Sequence, residues 1–173
     1  MMERYIIDTN VLITANRALG YQATDEAPNY PNMIKNSIDH LLRIKENGCY
    51  VVLDFDDEIF GEYRKYMNLS GQNAVGDAFF EWLNDTRWSY PSSERIKLHK
   101  IENGYKEFPQ DMELVSVDPS DKKFFAVSNA HHCKPPILEA TDSKWWGWKD
   151  AANRCGIRII FMDEKYMKDH SSV

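Results

Sequence analysis

Four short apolar runs frame what this chain can fold into: Tyr5-Ile6-Ile7, residues 49–55 (CYVVLDF), 135–141 (PPILEAT) and 157–162 (IRIIFM). Each is rich in β-branched or aromatic residues and bounded by turn formers, the pattern of a strand buried on both faces of a parallel sheet. Segments of helical period separate them. A short helix follows the first strand, and the Pro-containing stretch 20–32 reads as a loop. Ile34, Ile38, Leu41, Leu42 and Lys45 fall on helical spacing over 33–46, with Asn47-Gly48 as the stop. Asp56 or Asp57 caps a helix that runs to about Leu69 and is broken by Gly71; another spans about Ala74 to Trp88. Residues 94–101 (ERIKLHKI) suit a short edge strand. Asp118 at the N-cap and Pro119 at the first helical position open the segment DPSDKKFFAVSNAHH, and WWGWKDAANRC forms a last helix. Strands alternating with helices in this order predict an α/β fold, a parallel sheet with helices on both faces, in a single domain over 1–173.

Composition narrows the classes. Hydrophobic residues make up 43% and charged residues 28%, as in an ordinary globular protein. No apolar run has the length of a membrane span, and the N-terminus carries no apolar signal core, so a cytoplasmic location without membrane contact is expected. Cys49, Cys133 and Cys155 form no C-x-x-C pair, which points to reduced thiols rather than a zinc site. A net charge of -6 argues against coating nucleic acid by bulk electrostatics. It leaves room for a nuclease, whose carboxylate metal site is itself negative. Basic spots are local: Arg64-Lys65, Lys97 with Lys100, Lys122-Lys123, and Lys144 with Lys149 and Arg154.

The acids fall at telling places. Asp8 interrupts the first apolar run, and Asp142 follows directly on PPILEAT. Both are strand ends, where open parallel sheets bind ligands. Glu62 shares a helical stripe with Ile59, Tyr63 and Tyr66, and Asp121 shares a face with Phe124, Phe125 and Ser128. Each acid also has an ordinary structural role. Asp8 suits a bond to a loop amide, Asp121 or Asp142 a helix cap, Glu62 a pair with a lysine at the stripe's edge. Four carboxylates converging without a counter-charge would repel one another toward protonation. A hard cation with oxygen ligands, Mg²⁺ or Mn²⁺, relieves that repulsion.

Taken together, IIDTNVLI, EIFGEYRKYM, DPSDKKFFAVS and ILEATD resemble the signatures of the PIN-domain nuclease family, in that family's order and across nearly the whole chain. The resemblance implies a PIN-like fold, a three-layer α/β/α sandwich around a central, twisted parallel sheet. It implies a metal-dependent endoribonuclease acting on single-stranded or structured RNA, or on single-stranded DNA, in a toxin, defence or RNA-processing role. The family's acidic ligands match Asp8, Glu62, Asp121 and Asp142, with Mg²⁺ or Mn²⁺ as cofactor. Thr9 or Asn10 matches the polar position that helps orient the site, and Thr141 is a further site-supporting candidate. Lys144, Trp145 and Lys122 are the candidate nucleic-acid contacts; the cluster Trp145, Trp146 and Trp148 suits core and helix packing first, with base stacking beside the site as its functional reading. Expected partners are an RNA strand, an antitoxin or other protein, and a second copy of the chain.

Many relatives carry a further acid two residues past the last one, where this chain has Lys144, a departure that puts a second metal in question. Two other readings compete. A PIN-like domain that has lost its metal can serve as a partner-binding module. VVLDFDDE also resembles the D-x-D of haloacid dehalogenase-like phosphatases, with Asp54 as nucleophile and Asp56 as acid/base, although here a complete strand and helix precede it.

Overall fold

The computed structural model describes residues 1–17, 30–69 and 74–171. Most of the expected loop at 20–32 and the expected helix breaker Gly71 lie outside them. The polar interruption at Asp8 is a junction between strand and helix. Strand β1 (Arg4–Ile7) runs straight into helix α1 (Thr9–Asn16), with Asp8 as its N-cap, accepting from the Asn10 amide at 2.8 Å. Val11, Leu12 and Ala15 return the chain to the core on the inner face of that helix.

Helix α2 (Pro31–Glu46) opens on a proline and stops at Asn47 and Gly48, the latter in the left-handed region with φ +64°. The second apolar run splits into β2 (Tyr50–Val51) and β3 (Leu53–Asp54), followed by α3 (Glu58–Tyr66) and α4 (Val75–Thr86). The segment expected to form an edge strand gives β4 (Arg95–Ile96) and β5 (Lys100–Ile101), and β5 makes an antiparallel hairpin with β6 (Gly104–Tyr105). Helix α5 (Lys122–Ala130), β7 (Ile137–Glu139), α6 (Lys144–Arg154) and β8 (Ile159–Phe161) come next, and an additional helix, α7 (Glu164–His170), closes the described chain.

The result is a mixed α/β architecture around a four-stranded parallel sheet of order β2-β1-β7-β8, with β3 pairing in parallel to β4. Strand β1 is central, so Ile6 and Ile7 are fully buried. Its register sets Ile7 beside Leu138, and the Asp8 amide donates to the Leu138 carbonyl at 2.9 Å. Asp8 and Glu139 therefore end neighbouring strands side by side. Helices α1, α2 and α4 pack on one another, while α5 lies against β1, β7 and α3. The α1–α4 approach requires Gly76, because a Cβ there would sit 2.2 Å from the Leu12 carbonyl oxygen. Among the described residues, no helix is long and apolar enough to cross a membrane.

Candidate metal centre

Asp8 is 3% exposed. One of its oxygens takes the Asn10 amide, and its carboxyl group faces that of Glu139, which is completely buried. Glu139 accepts from the Ala140 and Asp142 amides at 2.9 and 3.2 Å through Oε1, while Oε2 has no donor among the described residues. Burial, and then the neighbouring Asp8, push the Glu139 carboxyl well above the ordinary range. Asp8 is raised too, again chiefly by burial. The charge of Asp8 thus disfavours the charged form of Glu139.

Helix α3 is fastened over the end of β1 by the Tyr63 hydroxyl, which donates to the Ile7 carbonyl. That anchor brings Glu62 to the same end of the sheet. The Thr9 hydroxyl bonds Glu62 Oε1, and the Lys123 ammonium bonds Oε2 at 2.5 Å. The premise that the converging acids lack a counter-charge is corrected here: Lys123 is a buried cation among them, and Glu62 does pair with a lysine.

Helix α5 begins at Lys122, three residues later than the Asp118-Pro119 signature predicts, because residues 118–121 form a turn in which the Asp118 backbone carbonyl accepts from the Asp121 and Lys122 amides. Asp121 occupies the N-cap position but its side chain makes no capping bond; among the described residues only the Ser120 hydroxyl approaches it, at 3.4 Å. Burial, then Asp142 and Asp118, push Asp121 up to about 6. Asp142 accepts from the Lys144 amide at 3.0 Å, so the capping role holds for one of its oxygens. Asp118 takes the Lys144 ammonium at 2.6 Å. One carboxylate oxygen from each of Asp118, Asp121 and Asp142 lies within 4.8 Å of the others. Oxygens around an octahedral ion bound at about 2.1 Å stand roughly 3–4 Å apart, so small shifts would close the set around Mg²⁺ or Mn²⁺. Each of the three also keeps one oxygen free of protein donors among the described residues. Hard anionic oxygens alone suit those ions rather than zinc.

These groups line an open cleft of about 370 Å³, with Lys65 and Tyr66 beside Glu62. A larger hollow of about 590 Å³ lies between Met112 and Trp148, but it gathers no convergent set of acids. In a second cluster, His131, His132 and Cys133, the ring of His131 is already engaged: it meets Glu94 through Nε2 and accepts the Cys133 backbone amide at Nδ1.

Of the predicted site, Asp8, Thr9, Asn10, Glu62, Asp121 and Asp142 do share this cleft, while Thr141 does not line it. Two expected nucleic-acid contacts are corrected. Trp145 is fully buried and stacks on Phe125 at 4.8 Å, so it has no face to offer a base. Lys122 turns away, donating to the Asn103 carbonyl at 2.7 Å and lying over Phe108. Lys144 stays at the rim, paired with Asp118. Asp118, Glu139 and Lys123 were missed. Asp118 looked like a cap, and Lys123 like one of two adjacent surface lysines. Glu139 did leave a signal, an acid inside an apolar strand run.

Asp54, the nucleophile of the phosphatase reading, is 1% exposed, and both of its oxygens accept amides of α3, from Glu58 and Ile59 at 2.8 Å. It is a helix cap. Asp56 is exposed and pairs with Lys97 at 2.7 Å. No protein-family model, curated protein or solved structure matches the chain.

Proposed function

We propose that this chain is a PIN-like, Mg²⁺- or Mn²⁺-dependent endoribonuclease that hydrolyses phosphodiester bonds of single-stranded RNA. The observation that carries the reading is the convergence of Asp118, Asp121 and Asp142 beside the buried Asp8–Glu139 pair, in an open cleft at the end of β1. A three-layer arrangement of helices about the parallel sheet belongs to the same proposal.

Asp118, Asp121 and Asp142 would hold the cation, with Asp8 behind them. When bound, the ion supplies Lewis acidity toward water and neutralises charge on the scissile phosphate. Glu139 fixes the two amides that follow β7 and so aims Asp142 into the cleft. Thr9 orients Glu62. Lys65 and Tyr66 line the open side, where a cation and an exposed ring suit a phosphate and a base. Hydrolysis would break the bond from phosphorus to the 3′ oxygen, leaving 5′-phosphate and 3′-hydroxyl ends. A toxin with its antitoxin, a defence nuclease and an RNA-processing enzyme all use this chemistry, alone or as a dimer.

The test is cleavage of labelled single-stranded RNA, with single-stranded DNA in parallel, in EDTA, Mg²⁺ or Mn²⁺. Cutting that needs the ion and falls more than about 100-fold in Asp121→Asn and Asp142→Asn is expected, since even outer-shell groups of metal sites are worth 10–100-fold. Activity that survives both substitutions sinks the assigned site. A folded chain that binds neither ion is instead a partner-binding module.

A further inference from the structure

Lys123, buried behind the cleft rather than lining it, divides the cleft's acids into two unequal sets. On one side, both oxygens of Glu62 are engaged, one by the Thr9 hydroxyl and the other by the Lys123 ammonium at 2.5 Å. The ammonium also donates to the Ser120 carbonyl, and it lies 4.7 Å from the centre of the Phe124 ring. Its side chain is 8% exposed, against 62% for Lys144, the other lysine bonded to these acids. Lys123 is thus built into the site rather than resting on it. On the other side, Asp118, Asp121 and Asp142 each keep an oxygen without a donor among the described residues.

We propose that Lys123 stands in for a second divalent ion, so that the site takes a single ion on Asp118, Asp121 and Asp142, and Glu62 holds Lys123 instead of ligating metal. The inference rests on the metal reading above. Three features support it. The charge of Glu62 is already cancelled by its partner. A second ion at Glu62 would have to displace an ammonium that has little solvent to move into, leaving a buried charge unpaired. Finally, the Ser120 carbonyl is a second tie on the ammonium, which an incoming ion would have to break as well.

Mn²⁺ binding to the full chain, counted by the electron-spin resonance signal of free Mn²⁺ and by calorimetry, tests this without any need for turnover. The wild-type chain is expected to take one ion. Glu62→Gln should keep that ion within about threefold in affinity, whereas Asp121→Asn should lose it. Lys123→Arg should stay at one ion, and Lys123→Met, which bares Glu62, should take two. A wild-type chain that binds two ions overturns the role of Lys123 and leaves the nuclease reading intact. So does loss of the ion in Glu62→Gln to the extent seen in Asp121→Asn, or a folded Lys123→Met that still binds one. If Lys123→Met fails to fold, Glu62→Gln and Lys123→Arg decide the matter. A wild-type chain that binds no Mn²⁺ removes the metal reading itself, and this inference with it.

Discussion

Asp8 and Asp54 are the same residue type in the same kind of place. Each follows or ends a parallel strand, each precedes a helix, and each is nearly inaccessible to solvent. Asp54 spends both oxygens on the first amides of α3. Asp8 spends one on α1, and its carboxyl group faces another acid. Burial raises both, yet only one is left with unmet needs. The lesson is that a strand-end acid marks a reactive site when its acceptors outnumber the amides within reach.

Exchanging the chemistry of these two positions gives the sharpest contrast. Asp8→Asn should cut RNA cleavage more than about 100-fold while the melting temperature holds or rises, because it removes a charge that burial disfavours. Asp54→Asn should do the reverse, losing about 1–3 kcal/mol of stability because its NH₂ cannot accept the second α3 amide, which is left buried without a partner, with activity per folded molecule retained. Cleavage assays beside thermal melts read both, and equal behaviour of the two variants would break the distinction.

A smaller effect is expected at Glu139. Glu139→Leu should lower Mn²⁺ affinity and cleavage about 10–100-fold, the usual range for a group that orients a ligand. Glu139→Gln should lose far less, since its carbonyl oxygen still accepts the Ala140 and Asp142 amides and its NH₂ can donate to Asp8. If Leu and Gln act alike, Glu139 only fills space.

The smallest effect is on stability against pH. The folded-state value of Asp121, about 6, lies above the ordinary 3.8. An acid raised by folding contributes stability that is fully present below its unfolded value and lost as pH rises through its folded value. Without divalent ions, the melting temperature should therefore fall from pH 4 to pH 7. Discounted for the partial exposure of Asp121, the loss is about 1 kcal/mol, or about 2–4 °C. Mn²⁺ should restore it by binding the folded state, and Asp121→Asn should flatten the fall. A melting temperature that does not depend on residue 121 would place this carboxyl in ordinary solvent.

What the residues themselves made legible follows from where their partners lie. Asp8 and Asp142 could be read because an apolar run stops at each of them, and Glu62 because helical spacing puts it on an apolar stripe. Its partner could not be read, since Lys123 lies 61 residues further on and only the packing of α3 against α5 joins them. Asp118 was hidden by its own signature: Asp-Pro is a good helix start, but a turn intervenes and frees both Asp118 and Asp121. Trp145 and Trp148 are spaced for one buried helix face, and that spacing, rather than their aromatic character, decided their place. The hairpin of β5 and β6, with two residues in each strand, and the seven-residue α7 are too short to impose a period.

The close contact between Gly76 and Leu12 makes the cleft adjustable from behind. Helix α1 is a strut about 12 Å long, with Asp8 at its front end and α4 pressed against its flank. A methyl group at residue 76 has no room unless α1 and α4 move apart. The seat of the helix that Asp8 caps thus depends on the absence of a single methyl group at a helix crossing, on a residue that does not line the cleft.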